Sequence, residues 1–116
     1  MAKDFGQLCA SYGDLKVGFS ETLSREVSRY CINVNCVASA GTHTPAFERG
    51  AKSLGISVED FLKRAQSIHP LARGFEECRG KIRIAKPRDV ANMVVFLCSD
   101  RTEWVTGESV SVSGGF

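Results

Sequence analysis

Ile32-Asn33-Val34-Asn35-Cys36-Val37-Ala38 alternates β-branched and polar residues over the length of a strand, and Ser39-Ala40-Gly41 then breaks the pattern. Immediately upstream, Leu15, Phe19, Leu23 and Val27 recur four apart, with Glu21, Arg25, Glu26 and Arg29 on other faces, which predicts a helix over 12–29. A helix that enters a strand through so short a turn belongs to a layered α/β structure. The strand is expected over 32–38.

Downstream the pattern turns helical again over 44–67, with Phe47, Ala51, Leu54, Phe61, Leu62 and Ala65 as the apolar positions. It breaks near Gly55 and restarts at Ser57-Val58-Glu59-Asp60, where a serine followed by acidic residues marks a helix N-terminus. Residues 68–86, with Gly74, Gly80 and clustered charge, read as a surface loop of the length that often carries function. Pro87 suits the first turn of a helix over 87–99, whose Val90, Ala91, Val94, Val95, Leu97 and Cys98 predict burial. A last strand is expected over 108–113, bracketed by Thr106-Gly107 and Gly114-Gly115 as turns.

A right-handed crossover would set the two strands parallel in one sheet. Parallel strands lie in sheets covered on both faces, and two strands alone leave two open edges and little surface for these helices. One partial domain of a larger sheet is therefore expected over 1–116, completed by other sequence or by a partner.

Composition excludes several classes. The 116 residues carry fifteen basic and thirteen acidic side chains. Lys and Arg are spread rather than gathered into a stripe, which argues against nucleic acid and anionic membrane as partners. No apolar run reaches membrane-spanning length. Met1 to Leu8 are mixed and charged, unlike a secretory signal, and the five scattered cysteines form no C-x-x-C pair. Reduced thiols in a cytoplasmic protein, without a metal site, are the expectation.

Several short motifs now align in order. Tyr12-Gly13-Asp14-Leu15-Lys16 reads Y-x-x-x-K, and the 32–37 segment is similar to I-R-V-N-x-V. Thr44-Pro45 follows the strand, then Arg83-Ile84-Ala85-Lys86-Pro87-Arg88-Asp89-Val90-Ala91 reads R-x-x-x-P-x-D-V-A. Phe96-Leu97-Cys98-Ser99-Asp100, Thr106-Gly107 and Gly114-Gly115 complete the series. Together these resemble the C-terminal half of the short-chain dehydrogenase/reductase family, from about Tyr12 to Phe116.

The resemblance implies the C-terminal half of a Rossmann-like, doubly wound parallel sheet. It implies an NAD- or NADP-dependent oxidoreductase that interconverts an alcohol and a ketone. Residues four apart share a helix face, so Tyr12 and Lys16 can address one ligand, or can simply be surface neighbours. In the family the tyrosine exchanges the proton with the substrate oxygen, and the lysine favours the phenolate and binds the nicotinamide ribose. Thr44 corresponds to a threonine that contacts the cofactor, and it could equally serve as the N-cap of the next helix. The segment from Thr44 to Lys81 aligns with the substrate cover; Phe47, Phe61, Leu62 and Phe75 are its candidate lining, or core. His43 and His69, each without a second ligand, read as loop residues.

Two departures matter. Ser39-Ala40 replaces the family's Pro-Gly after the strand, with Gly41 a candidate to supply a shifted turn. The glycine-rich turn that receives a pyrophosphate and the family's catalytic serine have no counterpart, since Gly6, Gly13 and Ser11 are wrongly spaced. By itself the chain is expected neither to bind a dinucleotide tightly nor to transfer hydride. It would act in a homo-oligomer, with Trp104 at a subunit contact, or in a complex with an N-terminal half. The other reading is a catalytically inactive relative, kept as a structural or regulatory subunit that completes a partner's sheet.

Overall fold

The computed structural model describes residues 16–72 and 83–116. A helix whose described part is residues 16–27 (α1) leads through a short 3-10 turn, Ser28–Tyr30, to Cys31. Strand β1 (Cys36–Ser39), helices α2 (Pro45–Ser53) and α3 (Val58–Ile68), helix α4 (Pro87–Leu97), a 3-10 turn (Asp100–Thr102) and strand β2 (Ser109–Val112) follow. β1 and β2 pair in parallel as a two-stranded sheet, the α/β arrangement expected.

Among the described residues, contacts define two compact units, 16–38 with 94–110 and 39–72 with 83–93 and 111–116.

In the first unit the strand starts later than its sequence pattern predicts, at Cys36 rather than residue 32. The asparagines explain the delay. Asn33 Nδ2 donates to the carbonyls of Glu103 (3.0 Å) and Thr102 (3.4 Å), and Asn35 Nδ2 donates to Val105 O at 2.9 Å. Asn35 Oδ1 accepts from Glu108 N at 3.1 Å, and Val34 N donates to Thr106 Oγ1 at 3.0 Å. Side chains thus do the work of a ladder over 33–35, and Cys36 N then donates to Glu108 O at 2.8 Å. α1 gives way to the 3-10 turn at Ser28, where Cys31 takes a left-handed conformation (φ 58°) and closes the end with a bond to Ser28 O.

Helix α4 ends at Leu97 rather than residue 99. Ser99 Oγ donates to Phe96 O at 2.6 Å, while Thr102 Oγ1, buried, lies 3.0 Å from the carbonyls of Leu97 and Ser99. These hydroxyls satisfy carbonyls that a further helical turn would have used. The expected burial of α4 is not observed: none of its residues is buried, and Val95 is 69% exposed. Phe19 of the α1 stripe is 66% exposed as well. A two-stranded sheet is too narrow to cover the apolar faces of several helices.

The second unit shows why α2 and α3 separate. Thr44 caps α2, accepting from Phe47 N at 3.2 Å, with Pro45 in its first turn. Gly55, at φ 67°, supplies the left-handed residue after α2 that a side chain would resist. Ser57 then caps α3, accepting from Asp60 N at 3.0 Å, with Glu59 and Asp60 in the first turn. The two helices pack through Ala51 and Ala65, both buried, and through Phe47 and Phe61, whose rings lie 4.5 Å apart. The expected loop 68–86 begins with helical residues at 70–72. β2 is one residue shorter at each end than predicted, and Gly114 and Gly115, at φ 65° and 87°, make the turn that follows it.

Candidate functional site

Of the residues that sequence nominates, Tyr12 and Phe75 lie outside the described part of the chain. Lys16 is exposed in the described part of α1, and its carbonyl accepts from Ser20 Oγ at 2.9 Å. It belongs to the first unit and Thr44 to the second.

Thr44 sits in extended conformation (φ −137°, ψ 165°) between β1 and α2, half-buried. Its oxygen accepts the Phe47 N–H, so the hydroxyl proton remains available to a ligand. Helix cap and ligand contact, alternatives in the sequence, are therefore compatible in one side chain. The preceding residues are tied down. His43 N donates to Ala85 O at 2.9 Å, and Thr42 and Ala85 form a parallel bridge. The His43 ring meets the Phe47 ring edge-on at 5.9 Å, and its Nε2 lies 3.3 Å from Glu48 Oε1. His43 thus helps hold the start of α2, as a loop histidine.

Gly41 does not supply a left-handed turn. Among the described residues the positive-φ glycines are Gly55, Gly107, Gly114 and Gly115. Its requirement is space: a Cβ at Gly41 would stand 3.1 Å from His69 Cε1 and 3.4 Å from Nε2. The turn that replaces Pro-Gly is closed instead by Thr42 Oγ1, which donates to Ala40 O at 3.0 Å.

His69, expected as an open loop residue, is only 5% exposed. Its Nδ1 lies 2.5 Å from Ala65 O, and Nε2 has no hydrogen-bond partner among the described residues. The ring stacks on Phe116 at 5.3 Å. It borders a cavity of about 200 Å³ whose wall also includes Leu71, Ile84, Arg83 and Asp89.

Arg83 and Asp89, the first and the acidic positions of the R-x-x-x-P-x-D-V-A motif, form an ion pair that the motif alone does not announce. Arg83 Nη1 lies 2.5 Å from Asp89 Oδ2 and Nη2 lies 3.2 Å from Oδ1, a two-armed grip. Asp89 also accepts from Lys86 N at 2.7 Å, the reach-back of an acidic side chain in the first turn of α4. The Arg83 hydrogen bonds, then the Lys86 N–H, hold the Asp89 carboxyl below its usual range despite partial burial. Arg83 is pushed up in turn, chiefly by the same hydrogen bonding. The legible signal was an acidic residue two positions after Pro87, a first-turn pattern; the partner six residues upstream requires the fold.

Among the described residues no group of three or more His, Cys, Asp or Glu is placed to hold a metal, and no helix is long and apolar enough to cross a membrane.

Comparison with known proteins gives this geometry a family. The model of the family described as enoyl-(acyl carrier protein) reductase matches residues 7–116. An acetoacetyl-CoA reductase from an Acinetobacter species is 33% identical over 114 residues, covering 96% of this chain and 38% of its own. The structure of L-sorbose reductase from Gluconobacter frateurii, complexed with NADPH and L-sorbose, superimposes with a TM-score of 0.71 at 32% identity, covering 85% of this chain and 36% of that one. A 3-oxoacyl-[acyl-carrier protein] reductase from Brucella melitensis with bound NAD superimposes with a TM-score of 0.64 at 26% identity, covering 92% of this chain and 32% of that one. The chain thus spans 32% to 38% of the length of these relatives. With its two parallel strands, its capped helices and a match over nearly all its residues, the chain belongs to the short-chain dehydrogenase/reductase family.

Proposed function

We propose that these residues are the C-terminal catalytic and substrate half of an NAD(P)-dependent oxidoreductase that interconverts an alcohol and a ketone. They form a single partial Rossmann-like domain, and the glycine-rich dinucleotide turn and the catalytic serine come from an N-terminal half. The observation that carries the reading is a family match that runs through Tyr12-Gly13-Asp14-Leu15-Lys16. Tyr12 is the acid/base, giving a proton to the carbonyl oxygen in reduction and taking it from the alcohol in oxidation. The Lys16 ammonium, four residues on in sequence, favours the Tyr12 phenolate and contacts the nicotinamide ribose. Thr44 donates its hydroxyl proton to the cofactor while its oxygen keeps α2 capped.

The residues present suit such a cofactor. Lys16 is exposed, and Thr44 retains a donor while its oxygen caps α2. Nicotinamide, when bound, supplies or accepts the hydride. Phe47, Phe61 and Leu62, all half-buried, belong to the segment that covers the substrate. The free thiols of Cys31, Cys36 and Cys98 suit a cytoplasmic protein, and the exposed Trp104 suits a contact in a homo-oligomer.

The test is carbonyl reduction by the complete assembly, with either NADH or NADPH. Tyr12→Phe should abolish turnover, a loss of at least about a hundredfold. Turnover that survives this change sinks the role of Tyr12. A second reading, an inactive relative that completes a partner's sheet, is favoured by Ser39-Ala40 in place of Pro-Gly. It predicts an assembly that takes up neither dinucleotide in a direct titration.

A further inference from the structure

The β1–α2 loop that presents Thr44 is fastened to a segment with no regular structure of its own, and the fastening has an electrostatic lock. Residues 83–86 lie just upstream of α4, outside any helix. What shapes them is a ring closed by side chains. Arg83 grips both oxygens of Asp89, and its Nη1 also donates to Ile84 O at 3.2 Å. Asp89 closes the other side through Lys86 N at 2.7 Å, while its own N–H donates to Lys86 O at 2.9 Å. Ile84, whose carbonyl Arg83 holds, is only 4% exposed. Between these bonds stands Ala85, whose carbonyl accepts from His43 N and whose backbone bridges Thr42. Thr44 is the next residue along the chain.

We infer that Arg83 and Asp89 are positioning residues for Thr44: their two-armed ion pair holds Ala85 in register with Thr42 and His43 and so aims the Thr44 hydroxyl. That this aim serves a cofactor rests on the function proposed above. Geometry argues for the pair rather than for either charge alone. A lysine at 83 would reach Asp89 with a point charge but could not grip both oxygens and Ile84 O together. An asparagine at 89 would still accept from Lys86 N but would lose the charged second arm. Each change therefore keeps the start of α4 and loosens the ring. Glu at 89 keeps both charge and reach and should restore it.

The test combines amide exchange with cofactor kinetics on the complete assembly. In Arg83→Lys and Asp89→Asn the His43 amide should exchange faster by about tenfold or more, as expected when one bond to a charged group is lost. The Asp60 amide, held by Ser57 Oγ, should keep its rate, and Asp89→Glu should return His43 to near the parent rate. Cofactor KM should rise about fivefold with kcat nearly unchanged, the split expected of a misaimed binding contact. An unchanged His43 rate in both variants overturns the lock. A faster His43 rate with unchanged KM, where Thr44→Val does raise KM, also overturns it, because the ring would then not reach Thr44. If His43 accelerates and Thr44→Val leaves KM unchanged, the lock stands and the cofactor role of Thr44 falls.

Discussion

Gly107 lies against Ser24 so closely that a Cβ on the glycine would stand 2.8 Å from the serine Oγ. Ser24 is 4% exposed, and its hydroxyl is already committed to Glu21 O at 2.7 Å. The glycine also holds φ 77°, in the left-handed region. Gly107→Ala should therefore cost about 1–3 kcal/mol from strain and crowding together. Ser24→Ala in the same chain should recover only the crowding part. Urea unfolding of the single and double variants checks this; full recovery would show that backbone strain contributes nothing.

Asn35 bonds at both ends of its side chain, to Val105 O and from Glu108 N. Asn35→Ala removes both partners of the seam that stands in for strand pairing. A loss of about 2 kcal/mol is expected at about 1 kcal/mol per bond. Asn35→Asp, which keeps the acceptor and loses the donor, should fall between parent and alanine at neutral pH only if the carboxylate tolerates Val105 O. Repulsion there would make it the worst of the three.

Acid should loosen the second unit through Asp89. Its carboxyl titrates below the usual aspartate range, held down first by the Arg83 hydrogen bonds and then by the Lys86 N–H. A group whose folded pKa is depressed contributes stability that is present above its unfolded pKa and lost as pH falls through the folded one. The loss should therefore set in below about pH 4. Asp89→Asn should be less stable than the parent at neutral pH, with the difference shrinking toward pH 2. Parallel stability curves over that range would mean that the pair contributes nothing to the fold.

Gly41→Ala should press on His69 rather than on its own backbone. The new Cβ would need the ring to give by a few tenths of an ångström, and the ring is held between Ala65 O and Phe116. A cost of about 1–2 kcal/mol is expected, relieved when His69 is shortened to Ala in the same chain. Thermal unfolding of the four proteins in the cycle measures the coupling; additive effects would contradict the contact.

Local signals were legible where their cause is local. Ser57 before Glu59 and Asp60, and Thr44 before Pro45, announce helix starts because capping acts over three residues. Ile32 to Asn35 misled because β-branched alternation marks an extended chain whether its partners are backbone ladders or asparagine amides. For Gly41 the sequence leaves the reason open: a glycine needed for room and one needed for φ look alike until its neighbour His69, twenty-eight residues away, is in place. The apolar face of α4 was read correctly as apolar, and its exposure depends on how much sheet there is to cover it. The Arg83–Asp89 ring joins a first-turn acid, visible in sequence, to an arginine whose reach only the fold decides.

The seam between residues 33–36 and 102–108 also imposes an order of events. Its bonds span sequence separations of 69 to 73 residues, whereas the caps of α2 and α3 span three. Ring closure over so long a segment carries an entropy cost that no single asparagine amide offsets, so the seam must close cooperatively. The α2–α3 hairpin can assemble first and alone, on a timescale set by local contacts. Refolding should then be biphasic in character, an early helical signal followed by a slower step in which Asn33 and Asn35 find their carbonyls.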